Sequence, residues 1–466
     1  MKNKLILIPI IFSSLAASAQ LDTTKSKIPF EGLDQSWYNG GDRRTTAPVL
    51  ESKYVTWSAM LDVNYSYSFA NPIDNTVVGS TALARDNEVQ VALGVIGGEF
   101  NYKNARGKLF LQMGTNSTVI PRDDYSPYRG QYQLPNVYRY LAEAYAGYHF
   151  DKWRGINVDM GMFVSYIGLN SYYQVENWEY QASYTSDNTP WFFNGVRIQI
   201  FPTKHLKIEP WIINGWQSYA KYNKMPGLGG NITWIPSSNV KLLTNDYWGT
   251  DTGVGGPYNN KTFANRIRVH SDNSLLVRYL NRPQSKGVSQ AAFSLTVDIG
   301  YEKGDSVNGF RSDKVKGPAQ YFFSGMIYNR VWFNQNKFAW TVGGGFINNP
   351  GRYLVLYPTG DASPLPNPNN PTKTEGTHPF DTNPGSQFSG FDYSTNFDWM
   401  PNQSITWRIE YVHRYASVPY FAGHGGVTSP TGYTTTAFGP GTAYPNWAPD
   451  LAHFEDRVIF AMLFRI

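Results

Sequence analysis

The stretch YVTWSAMLDVNYSYSF, residues 54–69, alternates almost without fault. Val55, Trp57, Ala59, Leu61, Val63, Tyr65, Tyr67 and Phe69 share one face, and Thr56, Ser58, Met60, Asp62, Asn64, Ser66 and Ser68 share the other. A period of two is a β-strand with one apolar and one wet face. From Trp57 to Tyr67 the chain covers roughly 33 Å along a strand. Tilted by about 40°, that is roughly 25 Å of depth, the height of the apolar band of a membrane barrel. Trp57 then marks one membrane interface, and Tyr65, Tyr67 and Phe69 mark the other. A strand of a soluble sandwich alternates in the same way, so the connections between strands must decide.

Further runs alternate likewise. Val89, Val91, Leu93 and Val95 are expected outward, as are Ile156, Val158, Met160, Met162, Val164 and Tyr166. So are Phe293, Leu295, Val297, Ile299 and Tyr301, and Ile405, Trp407, Ile409 and Tyr411. Short connections near 103–107, 151–155, 202–204, 236–239, 281–289, 334–336 and 401–403 alternate with long ones rich in Gly, Pro, Asn, Ser and Tyr. The long ones lie near 70–87, 115–137, 168–190, 218–230, 250–262, 303–317, 349–386 and 417–454. Tight turns on one side and long loops on the other are the habit of transmembrane barrels. The pattern predicts an all-β fold, a transmembrane antiparallel up-and-down β-barrel of about sixteen strands, within a range of about fourteen to eighteen. The end DRVIFAMLFRI points Val458, Phe460, Met462, Phe464 and Ile466 outward and is expected to close the barrel against the first strand. Two places leave the strand pattern open: Gly343-Gly344-Gly345, and Asp272-Asn273, which reads as a bulge or an extra turn.

The first residues, MKNKLILIPIIFSSLAASAQ, read as a secretory signal peptide: Lys2 and Lys4, an apolar run from Leu5 to Phe12, and the small-x-small site Ala17-Ser18-Ala19 before Gln20. Three regions follow: a signal peptide at 1–19, a periplasmic or lumenal extension at 20–53, and an outer-membrane barrel at 54–466. Loss of two lysines with the signal leaves little of the formal charge of +5. No polybasic run is present, so nucleic acid binding has no support. With no cysteine there is no disulfide framework and no thiolate metal site. Aromatic residues are 16% of the chain, which suits rings gathered at two membrane interfaces.

Two segments carry a further likeness: GMFVSYIGLNSYYQVENWEYQASYTSDNTPWFFNGVRIQIFPTKHLKIEPWIINGW and AWTVGGGFINNPGRYLVLYP. Their landmarks are Gly168, Pro190, Gly195 and Asn214-Gly215-Trp216. In these the chain resembles the β-barrel porins of the OmpL-like type, over roughly residues 50–466. The resemblance implies an outer-membrane porin of a Gram-negative bacterium and carries over no catalytic residue; the N-terminal style, with a signal ending in Ala-Gln, resembles proteins of the Bacteroidetes group. The porin resemblance implies passive diffusion of small hydrophilic solutes or ions.

With outward faces assigned, the lumen side can be named. The candidate pore-lining residues are Asp62, Glu143, Asp159, Arg197, Lys207, Glu209, Arg266, Arg268, Asp298, Arg408, Glu410 and Arg414, with Arg139, Arg457, Arg465 and Glu302 on the same side. Inward bases slightly outnumber inward acids in this set, which predicts weak anion preference or little selectivity. The interface aromatics are Trp57, Tyr65, Tyr67, Phe69, Tyr166, Trp407 and Phe464. The loops near 115–137 and 168–190 are the candidates for narrowing the lumen. No nucleophile motif surrounds any of the seven histidines. FAGHGG at 421–426 reads as a loop, and His378 with Asp381 makes only two ligands, so neither an enzyme nor a metal site nor a cofactor is expected. Expected partners are outer-membrane lipids and small hydrophilic solutes, with homo-oligomerisation left open. The alternative is a non-conducting barrel that serves adhesion, secretion or assembly through its long external loops.

Overall fold

The computed structural model describes residues 52–121, 134–221, 225–250, 267–304, 320–351, 387–402, 404–433 and 449–466, with a few isolated positions between them. The signal segment, the extension up to residue 51, Arg266, and the His378–Asp381 pair lie outside the described residues.

Sixteen long strands form one antiparallel barrel among the described residues. They are β1 (Val55–Ser68), β2 (Val89–Tyr102), β3 (Ala105–Met113), β4 (Leu141–Phe150), β5 (Ile156–Val164), β6 (Phe192–Thr203), β7 (Leu206–Ile213) and β8 (Gly227–Ser237). The second half is β9 (Val240–Gly249), β10 (Ile267–Asn281), β11 (Val288–Gly304), β12 (Tyr321–Phe333), β13 (Phe338–Asn349), β14 (Phe388–Asn402), β15 (Ile405–Ala416) and β16 (Phe454–Arg465). Each strand pairs with its neighbours in sequence, and a two-residue strand, Val307–Asn308, pairs antiparallel with the long-loop end of β11 at Lys303 and Gly304. β16 pairs with β1 from Met60↔Arg465 to Ser68↔Arg457, which closes the sheet. Short turns and long loops alternate as the sequence pattern requires. In the turn between β12 and β13, Asn334, Gln335 and Asn336 all have positive φ (49°, 58° and 65°), which Asn adopts more readily than most side chains.

The outer face is apolar and the inner face polar. Leu295, Val297 and Ile299 of β11 and Trp407 and Ile409 of β15 are exposed to the outside, while Ser294, Thr296, Asp298, Arg408 and Glu410 between them are buried inside. Aromatic residues collect at both ends of the wall. Trp57, Trp340, Trp399, Trp407 and Phe464 stand near the short-turn end, and Phe69, Phe323, Phe346, Phe391, Tyr393 and Phe454 near the long-loop end. Tyr65 and Tyr67 are half-buried on the same outer face of β1.

Four expectations are corrected. A bulge between Asp62 and Val63 of β1 leaves Ala92 of β2 unpaired. Beyond it Leu93 and Val95 turn inward and are buried, while Val89 and Val91 stay outside, because one extra residue exchanges the two faces. Tyr166 is not an interface residue. β5 ends at Val164, and the Tyr166 ring turns inward to stack on Trp211 at 5.0 Å, its hydroxyl donating to the Asp246 carbonyl at 3.0 Å. Gly229 leaves the space that the ring fills. Met162 has the outward parity but is only 6% exposed, packed in one cluster with Ile120, Trp191 and Phe192 at the long-loop rim. Asp272-Asn273 is regular strand; the irregularity of β10 lies between Arg278 and Leu280, and Gly343–Gly345 pair in register on both sides.

The wall makes a direct prediction. Val297 lies near the middle of β11 on the outer face, so Val297→Arg should lower the unfolding free energy in lipid vesicles by about 2–4 kcal/mol in a urea titration. Thr296→Arg, pointing inward, should cost stability by crowding instead and should not depend on bilayer thickness.

Candidate functional site

The β5–β6 connection, residues 165–191, folds into the barrel and fixes what the lumen can do. It contains the one-turn helix α3 (Tyr184–Asp187), which follows α1 (Asn116–Val119) and α2 (Pro135–Tyr138) in chain order. Trp178, Tyr180 and Tyr184 within it are almost wholly buried. A backbone taken out of water in this way must find new partners, and the barrel wall supplies them.

Glu410 accepts the backbone N–H groups of Tyr180 at 2.6 Å and Gln181 at 2.8 Å. Asp392 accepts the Ser183 hydroxyl at 2.9 Å and the Tyr184 N–H at 3.0 Å. Arg408 donates to the Asn177 carbonyl at 2.9 Å and Asn396 to the Trp178 carbonyl at 2.8 Å. Asp398 lies between Arg408 and Arg330, each at 2.7 Å, and holds both guanidinium groups in place. The Tyr180 hydroxyl donates to Asp62 at 2.9 Å and accepts from Asn64 at 2.7 Å. Nearer the N-terminal side of the loop, Tyr173 donates to Glu143 at 2.9 Å and Arg465 to Glu176 at 2.7 Å. Glu179 is held above the usual carboxylate range by burial, against a 2.5 Å hydrogen bond from Asn170.

Several residues predicted to line a pore are therefore placed as clamps on this loop: Asp62, Glu143, Arg408 and Glu410 directly, and Arg414 through Asp187 at 3.0 Å. Asp298 and Arg268 also face the interior and are buried, Arg268 against Glu302 at 2.9 Å and Asp298 beside His270 at 2.9 Å. Arg139 does not stand in the wall; it follows the short helix Pro135–Tyr138 and donates to the Pro135 carbonyl.

The wall from β2 to β7 is different. There Lys108 pairs with Glu143 at 2.7 Å and Glu99 at 3.1 Å, Arg197 with Asp159 at 2.9 Å, and Lys207 with Glu209 at 3.0 Å. Arg197 lies over the rings of Tyr145 and Phe163, 4.6 Å from each centroid. The side chains of Lys108, Arg197 and Lys207 keep 11%, 12% and 20% exposure, while those of Glu143, Asp159 and Glu209 keep 6%, 0% and 3%. Asp159 and Glu209 thus sit behind their bases, while Lys108 lies between the less exposed Glu143 and the more exposed Glu99, at 18%. Below them a belt of side-chain bonds crosses the strands, His149 to Asn157 to Gln199 to Glu209, at 2.8, 3.0 and 2.7 Å.

Sequence reasoning missed Asp187, Asp392, Asp398 and Glu455, and with them the balance of charge: among the described residues, buried acids outnumber buried bases. The alternation of 388–402 and 454–465 carried the signal, since Asp392, Asp398 and Glu455 have inward parity in those strands. Among the described residues no three His, Asp or Glu side chains are grouped to hold a metal ion.

A closed antiparallel barrel with an apolar outer band, a charged interior and an inward loop defines a transmembrane barrel protein of the bacterial outer membrane. The sequence from 54 to 441 matches the model of the family described as "Putative beta-barrel porin-2, OmpL-like", and the chain belongs to that family. The family is one of porin-like barrels, which supports a channel role, and it places the protein in the outer membrane. No curated protein matches the sequence. Among solved structures it is similar to an anion-selective porin from Comamonas acidovorans, at 8% identity and a TM-score of 0.48, over 88% of this chain and 99% of that one. It is also similar to OmpTdeltaL8, an outer membrane protein of Vibrio cholerae, at 7% identity and a TM-score of 0.48, over 88% and 99% of the two chains. The outer membrane channel DcaP of Acinetobacter baumannii is similar at 9% identity and a TM-score of 0.47, over 88% and 97%.

The clamp can be tested by removing its centre. Glu410→Ala leaves two buried N–H groups unpaired, at about 1–3 kcal/mol each. Amide hydrogen exchange at Tyr180 and Gln181 should accelerate by at least about tenfold, while the β15 ladder amides keep their protection.

Proposed function

We propose that the protein is a diffusion porin for small hydrophilic solutes and ions with a weak preference for anions. The observation that carries this reading is the order of charges on β5–β7: Arg197 and Lys207 are the more exposed members of their pairs, and Asp159 and Glu209 stand behind them. A passing ion meets the nearer charge first, and in water-filled space the farther one is partly screened. Because each base is paired, the net field is small, and the preference is weak rather than strict. On the opposite wall Glu410, Asp392 and Arg408 are engaged by the backbone of the inner loop.

The density of that clamp favours a second reading, a barrel that does not conduct and acts through its external loops. Single-channel recording in planar bilayers with a salt gradient separates the two. Stable conductance with a reversal potential on the anion side supports the porin; correct insertion without current supports the second reading. Lys207→Glu should shift the permeability ratio toward cations by about twofold, the scale of a charge change at a water-screened site. Asp62→Asn, altered under the loop, should leave the ratio unchanged.

A further inference from the structure

We propose that the junction of the β1–β2 loop, the α3 turn and β15 is a gate that acid closes. Its joint is one carboxylate and one guanidinium. Asp187 of α3 accepts the Thr81 N–H at 3.1 Å, the Thr81 hydroxyl at 2.8 Å, the Gln181 amide at 3.1 Å and Arg414 of β15 at 3.0 Å. Arg414 in turn donates to the Gly79 carbonyl at 2.5 Å and lies 4.3 Å over the Tyr184 ring. Three segments far apart in sequence, residues 69–88, 165–191 and β15, are therefore joined at this point. Asp187 and Arg414 are both buried.

The charges packed around the joint do not balance. β14 contributes Asp392, β16 contributes Glu455 and Arg457, and the β1–β2 loop contributes Asp86. With Asp187 and Arg414, four carboxylates surround two guanidinium groups, all buried. Closed, the junction holds surplus negative charge away from water. Open, Asp187 is hydrated and the surplus is relieved. The closed form therefore binds a proton more tightly than the open form, and by linkage acid favours closure. Burial agrees, pushing Asp187 up to about 6 against the opposing pull of Arg414. The sign follows: the closed form gains stability as pH falls through that value and loses it as pH rises. For a group moving from 3.8 in the open loop to about 6 in the closed one, the closed-to-open ratio rises about tenfold between pH 8 and pH 5.

The gate rests on the diffusion reading only for its effect on current, so its test reads the loop itself. The chain has no cysteine. Thr185→Cys places a thiol in α3, where the native side chain is buried and its hydroxyl has no hydrogen-bond partner. Lys286→Cys, in the exposed turn between β10 and β11, serves as the accessible control. Labelling of each by a charged maleimide, with the full chain in lipid vesicles, gives a ratio that should be about tenfold higher at pH 8 than at pH 5. Asp187→Asn, neutral at every pH, should keep the ratio low at both. A ratio that ignores pH, or that rises in Asp187→Asn, overturns the gate. If Asp187→Asn does not fold, the pH series on Thr185→Cys decides alone. A pH-dependent ratio with no current at any pH keeps the gate and overturns the diffusion reading. Current with a ratio fixed across pH does the reverse.

Discussion

Every backbone N–H and C=O in the hydrocarbon layer must find a partner within the protein, because lipid offers none and each orphan costs several kcal/mol. A sheet meets this demand only when it has no edge. The seam between β1 and β16 is therefore the contact on which the rest depends: nine residue pairs, Met60↔Arg465 to Ser68↔Arg457, join strands nearly four hundred residues apart. The outer apolar face, the aromatic ends and the side on which turns and loops fall all follow from that closure. So does the inward direction of polar side chains, since a closed wall has one wet side and the charges have nowhere else to stand.

Closure also creates the problem that the inner loop meets. Residues 165–191 enter the barrel and lose water from their backbone. Carboxylates of the wall accept its N–H groups, through Glu410 and Asp392, and guanidinium and amide groups donate to its carbonyls, through Arg408 and Asn396. Charged partners suit this task because a hydrogen bond with one ionised member is roughly twice as strong as a neutral one. The charge on Arg408 is in turn offset by Asp398, which it shares with Arg330. A charged wall is thus compatible with a filled interior as well as with an open channel, and composition does not separate the two.

That distinction marks how far the sequence could be read. Strand number, the order of short and long connections, and the closing role of the last strand were legible because each depends on period-two alternation and turn chemistry, which are local. The inward parity of Asp62, Arg408 and Glu410 was legible for the same reason. What each of them touches was not: Glu410 meets Tyr180 across 230 positions of sequence, and no local pattern encodes that pairing. Bulges escape for a related reason. One extra residue opposite Asp62 exchanges the faces of β2, and Ala92 is chemically unremarkable on either face. Tyr166 was misread because alternation runs on past the residue where hydrogen bonding stops, and the space left by Gly229, sixty-three positions later, is what draws the ring inward.

The middle of the inner loop and its α3 end are held in different ways. At its middle the clamping charges stand mostly on the wall, Asp62, Asp398 and Glu410 with Arg330 and Arg408, beside the loop's own Glu179. At α3 the joint is the loop's own carboxylate, and Asp187 carries bonds to a second loop as well as to the wall. A loop clamped evenly along its length would either stay or leave as a unit. One anchored at its centre by several wall side chains and at one end by a single carboxylate joint can swing at that end while the centre stays fixed. Apolar packing alone would not produce this asymmetry, because its strength is nearly the same at every pH. Ion pairs and buried carboxylates vary from place to place along the wall, and that variation lets one part of the loop serve as anchor and another as hinge.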